Sequence, residues 1–185
     1  MIDRINPKSR SDQYGRRINR DHSPVLSTAL PYATIILGSL LAVLPVSGTL
    51  PLLPPLGYMI FLGWRVMRPG LLPMWAGMPL GAFDDLFSGQ PFGSGILLWS
   101  VTMIGFELLE MRFPWRSFMH DWLAAAFATT AYILLAITLS GATPNIHHLI
   151  AALPQILLSA LLYPIIARMI DWLDRIRLTR VKVVD

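Results

Sequence analysis

The sequence predicts an all-α membrane protein, a bundle of six transmembrane helices, and three observations carry that prediction. Hydrophobic residues fill 54% of the 185 positions and charged residues only 14%, whereas a soluble domain carries about 25% charged residues to cover its water-facing surface. The apolar residues gather into six runs of about the 17 to 25 residues that a helix needs to cross the hydrocarbon core. All 15 Lys and Arg fall on one side of the bilayer once those runs are threaded through it.

The first 25 residues are polar and hold Arg4, Lys8, Arg10, Arg16, Arg17 and Arg20. A secretory signal places its apolar core soon after a short basic start. This segment instead reads as a disordered basic cytoplasmic tail. The membrane domain is expected over residues 26–170. Its first span is 26–46, uncharged, with Pro31 in the opening turns where a missing amide is tolerated, and Ser47-Gly48 turns the chain. The second is 50–67. Its prolines, Pro51, Pro54 and Pro55, predict an extended approach and a helix from Leu56 onward. Pro69-Gly70 closes it. The third, 71–87, is the least hydropathic, holding Pro73, Pro79, Asp84 and Asp85. The fourth is 92–109, followed by a polar gap, and the fifth is 122–140. The sixth is 149–170, with Pro154 and Pro164 inside it, and a charged tail over 171–185 ends the chain.

Threading six crossings puts both tails, the second-to-third connection and the fourth-to-fifth connection on one side. These hold every cation, with Arg65, Arg68 and Arg168 taken at the span ends facing that side and Arg112 and Arg116 in the fourth-to-fifth gap. Cytoplasmic loops carry the excess of Lys and Arg, so both termini are expected in the cytoplasm of an inner-membrane protein. The net charge of +4 points to the anionic lipid leaflet rather than to nucleic acid, because the basic residues sit beside apolar spans. Trp64, Trp115, Trp122 and Trp172 lie near the predicted cytoplasmic boundary, where amphipathic rings favour the headgroup level. Trp75 and Trp99 fall deeper and call for helix packing.

Ionisable residues inside a span mark function by default, so Asp84 and Asp85 stand out. On a helix, adjacent side chains diverge by about 100°, so the two do not form a facing acid pair. The plain alternative is hydrogen bonding at the outer turn, with Ser88 and the backbone. Glu107 and Glu110 share a helix side, and Arg112 and Arg116 follow closely enough to compensate them. His147 and His148, in an outer loop, lack the further ligands that a metal site needs, and no cofactor is expected. Gly77 and Gly81 form a G-x-x-x-G whose small residues allow close approach in lipid, within the chain rather than between copies, although Pro79 would distort that helix. No Walker motif, dinucleotide fingerprint or nucleophile elbow occurs, and Cys is absent. Both points argue against a self-sufficient enzyme.

Residues 81–93, GAFDDLFSGQPFG, resemble the signature of the rod shape-determining MreD family: a G-x-x-x-D stretch, a short S-G turn, then P-hydrophobic-G opening the next helix. Gly81, Asp85, Gly89, Pro91 and Gly93 fill those positions, with Asp84 an additional acid. The resemblance extends over residues 26–175 in size and hydropathy profile, and the basic N-terminal tail is longer than the family pattern. It implies a non-catalytic scaffold of the elongasome, supporting rod shape and peptidoglycan synthesis beside MreC, MreB, RodZ, RodA and a penicillin-binding transpeptidase. It also implies a compact bundle similar to the S-components of energy-coupling-factor vitamin transporters. A groove for the MreC transmembrane helix is expected near Gly77, Gly81, Gly93 and Gly95, with Asp84, Asp85, Gly89 and Pro91 shaping its outer end. A vitamin-binding S-component is the alternative. It would need Asp84, Asp85, Gln90, His147 and His148 to converge on an outer pocket. A lipid-modifying enzyme is a further alternative, for which no acid, base or nucleophile set can be assembled.

Overall fold

The computed structural model describes residues 20–22, 24–41, 53–112, 117–141, 145–178 and 180–183. Among the described residues six helices follow one another: α1 (Pro24–Leu40), α2 (Leu56–Met67), α3 (Gly77–Phe87, led in by a 3-10 turn over Met74–Ala76), α4 (Ser94–Arg112), α5 (Phe118–Leu139) and α6 (Ile146–Arg177). Three of them, α4, α5 and α6, are long and apolar enough to cross a membrane, so the chain has the composition and architecture of a helical membrane protein. The expected end of the first span and the start of the second lie outside the described residues, as do Trp115, Arg116 and all of the basic tail before Arg20.

The core is built around α2. Residues 57–66 of this helix are buried on every side, as in a helix apolar all round, with Arg65 as the charged exception near its end. α1, α4, α5 and α6 surround it, and α3 packs along α4 and against α1. Tyr58 of α2 stacks on Tyr132 of α5 with ring centroids 4.1 Å apart. Trp99 of α4 stacks on Phe61 at 4.7 Å. Trp99 is thus the packing residue that its depth required. Trp75 is not: it is exposed in the turn before α3, at the end where the cations gather. Trp64, expected at the headgroup level, is instead buried and donates to Thr34 Oγ1 at 2.9 Å.

Prolines inside helices free the carbonyl four residues earlier, and in lipid that carbonyl needs another donor. Pro164 removes the amide that would bond the Ala160 oxygen, and the Trp122 indole N–H of α5 fills the place at 2.9 Å. Pro31 does the same to Ser27, whose oxygen accepts from the Arg177 guanidinium at 3.3 Å. Two prolines that would weaken isolated helices therefore tie α5 to α6 and α1 to α6.

The helix bounds depart from the expected spans for local reasons. Within the span 50–67, α2 begins at Leu56 as the proline run predicts. α3 starts only at Gly77 of the expected third span 71–87, because residues 71–76 form the approach and its 3-10 turn. Pro79 falls in the first turn of α3, where its missing amide bonds nothing, so the helix continues undistorted. α6 starts early enough to include His147 and His148 and runs seven residues past the expected end at Ile170. Beyond it, Arg180–Val183 pairs antiparallel with Arg20–His22, so the two terminal segments meet at one end of the bundle.

That end is held by ion pairs the sequence did not reveal. The buried Arg65 guanidinium bridges Glu107 and Glu110 of α4, both at 2.6 Å. The two carboxylates are thus tied to a neighbouring helix, while the expected compensation by Arg116 lies outside the described residues. Asp174 of α6, 2% exposed, pairs with Arg68 beyond α2 and with Arg177. A fork with several planar donors suits two carboxylates at once.

Candidate functional site

The residues singled out by the sequence come together in the α3–α4 hairpin, at the end opposite the cation cluster. α3 runs out at Phe87, and Ser88 closes it by donating its amide to the Asp84 oxygen at 2.8 Å. Gly89 and Gly93 take positive φ, 69° and 101°, which residues with a Cβ adopt only at a cost. Pro91 sits between them, and its carbonyl accepts from the Ser94 amide at 3.1 Å and the Ser94 hydroxyl at 2.8 Å. This short turn sends α4 back along α3.

The Asp85 carboxylate reaches across the turn to the start of α4. It accepts from the amides of Gly93 at 2.8 Å, Gly95 at 2.7 Å and Ile96 at 3.3 Å, and from the Ser94 hydroxyl at 3.3 Å. The first amides of a helix have no partner within it, and the helix dipole favours negative charge there. Asp85 is therefore the cap of α4, supplied by the preceding helix. Ser88, the partner that spacing suggested, contributes none of these bonds. Asp85 is 6% exposed, and its oxygens are already engaged by four donors, which leaves little capacity to ligate a metal or move a proton.

Asp84 diverges from it as the helical angle requires. It is equally buried and faces α5, where the Tyr132 hydroxyl donates to it at 3.4 Å. The Gln90 amide approaches the same hydroxyl at 3.4 Å. A small cavity of about 210 Å³ opens beside them, lined by Gln90, Tyr132, Ser140 and Gln155 among others. Of the five residues that an S-component pocket would need, it contains Gln90 alone.

Gly81 permits the closeness of the two helices. A Cβ at this position would lie 2.5 Å from the Gly95 carbonyl oxygen, and one at Gly77 would lie 2.9 Å from that of Trp99. Across the interface, a Cβ on Gly95 would lie 2.6 Å from the Asp85 carboxylate. The G-x-x-x-G face is thus filled by α4 of the same chain. Among the described residues, no three His, Asp or Glu side chains gather as a metal site would need.

Comparison with known protein families, curated proteins and solved structures finds no match.

The functional reading therefore rests on this chain's own residues. The structure brings Gly77, Gly81, Asp84, Asp85, Gly89, Pro91 and Gly93 into one hairpin and leaves His147 and His148 on the first turn of α6. Sequence reasoning missed Tyr132, the partner of Asp84, and Arg65, the partner of Glu107 and Glu110. A tyrosine in an apolar span carries no periodic signal. Arg65 was visible only as one more cytoplasmic cation.

Proposed function

We propose that the chain is a non-catalytic membrane scaffold of the cell-wall elongation machinery, of the MreD type. It crosses the cell inner membrane six times, in a bundle similar to an S-component, and keeps both ends in the cytoplasm. Its direct partner is the bitopic protein MreC, and through it MreB, RodZ, RodA and the penicillin-binding transpeptidase. The observation that carries this reading is the use made of the 81–93 stretch. Each residue that gives it its resemblance to the family has a structural task in one hairpin, and its membrane-depth aspartate caps a helix instead of facing a cleft. Polar groups spent on holding helices together fit a rigid platform better than an enzyme.

The terminal segments pair with each other, which supports an even number of crossings. The cations gathered at that end support a cytoplasmic location for it. The vitamin-binding alternative draws little from the outer cavity, which is smaller than the roughly 300–1,000 Å³ of small-molecule sites. Depletion of the protein in its own host, followed by microscopy, tests the reading. Cells should round and widen, and the unmodified chain should restore their shape. Cells that keep their shape on depletion would overturn it.

A further inference from the structure

The glycine face around Gly77 and Gly81, expected to receive a partner helix, is already occupied by α4. One other face of α4 is open. α4 packs closely along α3 but touches α5 sparsely, and the space between α4 and α5 is a groove of about 490 Å³. Small residues line it, Thr102 and Gly105 from α4 and Ala124, Ala128 and Ala131 from α5. A Cβ on Gly105 would meet nothing within 4 Å, the reverse of Gly77 and Gly81. The walls are large and apolar, with Val101 56% and Phe127 77% exposed.

We infer that this α4–α5 groove seats a single apolar transmembrane helix of the partner, an assignment that rests on the scaffold reading above. Three features select a helix over the acyl chain of a lipid. The α4 side of the groove runs over residues 98–109, about 16 Å at the α-helical rise, and is centred on the middle of that helix. It therefore crosses the bilayer midplane, where the chains of each leaflet end after about half of the 30 Å core. Its lining stays apolar at both ends and offers no charged group to a lipid headgroup. Its small lining residues let a second backbone come close, which is how helices associate in lipid.

The absence of cysteine from the chain makes the test direct. Single variants Gly105→Cys, Ala128→Cys and, on the exposed face of α6, Leu161→Cys are co-expressed at full length with the bitopic partner carrying one cysteine at successive positions of its transmembrane helix. Oxidation in membranes should link Gly105→Cys and Ala128→Cys to partner positions that recur with helical period, and should leave Leu161→Cys unlinked. Gly105→Leu should reduce the partner that co-purifies about tenfold, the effect of an overpacking of about 1.4 kcal/mol. Links formed only from Leu161→Cys, with co-purification intact, would overturn the groove and leave the scaffold reading standing. Links between two copies of this chain at Gly105 would make the groove a dimer seam. Failure of the unmodified chain to co-purify with the partner would overturn both.

Discussion

Replacing Asp85 by Ala should destabilise the fold more than any other single change in the outer half of the bundle. The carboxylate receives three backbone amides, two of them at 2.8 Å or less. Hydrogen bonds to a charged group are worth about 1.5–3 kcal/mol each, so the two short ones amount to about 3–6 kcal/mol. Water entering the cavity left by the side chain would recover part of this, which brings the expected loss to about 3 kcal/mol, roughly a hundredfold in the folding equilibrium. Asp85→Asn keeps one acceptor but turns an NH₂ group toward an amide donor and removes the charge that the dipole of α4 favours. It should fall between, at about 2 kcal/mol. Asp84→Asn is the control, since its contact to Tyr132 is long at 3.4 Å. Unfolding of the purified protein in detergent, titrated with SDS and followed by tryptophan fluorescence, measures all three. An Asp85→Ala protein within about 0.5 kcal/mol of the unmodified chain, the range of an ordinary surface change, would refute the capping role.

Arg65→Lys should lose one of the two carboxylate bonds, because an ammonium cannot span both. Glu107 is 45% exposed and can turn to water, so the expected cost in the same assay is about 2 kcal/mol rather than the 3–5 of a fully buried pair. Gly81→Ala would place a methyl 2.5 Å from the Gly95 oxygen and force the hairpin apart, at about 2–3 kcal/mol. Gly89→Ala meets open space and only strains its backbone, at about 1 kcal/mol. Trp122→Phe leaves the Ala160 carbonyl without its donor, costing about 1–2 kcal/mol, while the exposed Trp172→Phe should stay within about 0.5 kcal/mol. An alkaline phosphatase fused after Gly141 should be active and one fused after Arg177 inactive. The opposite pattern would reverse the orientation.

The sequence by itself determined the apolar, helical character of a membrane protein and where along the chain its cations lie. Apolar run length and charge placement act locally, and a bilayer reads them before any helix meets another. The start of α2 at Leu56 was legible for the same reason, since proline acts on its own backbone. The site was legible only in part. The spacing of Gly81, Asp85, Gly89, Pro91 and Gly93 marked a turn, but the acceptor role of Asp85 depends on where Gly93, Gly95 and Ile96 present their amides after the chain folds back. Between helices, Tyr132 lies 48 residues from Asp84, Glu107 lies 42 from Arg65 and Arg68 lies 106 from Asp174. No periodicity links such pairs. The meaning of the prolines was hidden too: that Pro164 and Pro31 leave carbonyls for Trp122 and Arg177 follows only once α5 and α6 lie against their neighbours. Hydropathy is a property of a segment, whereas a hydrogen bond or an ion pair between helices belongs to their arrangement, and only the tertiary structure could decide it.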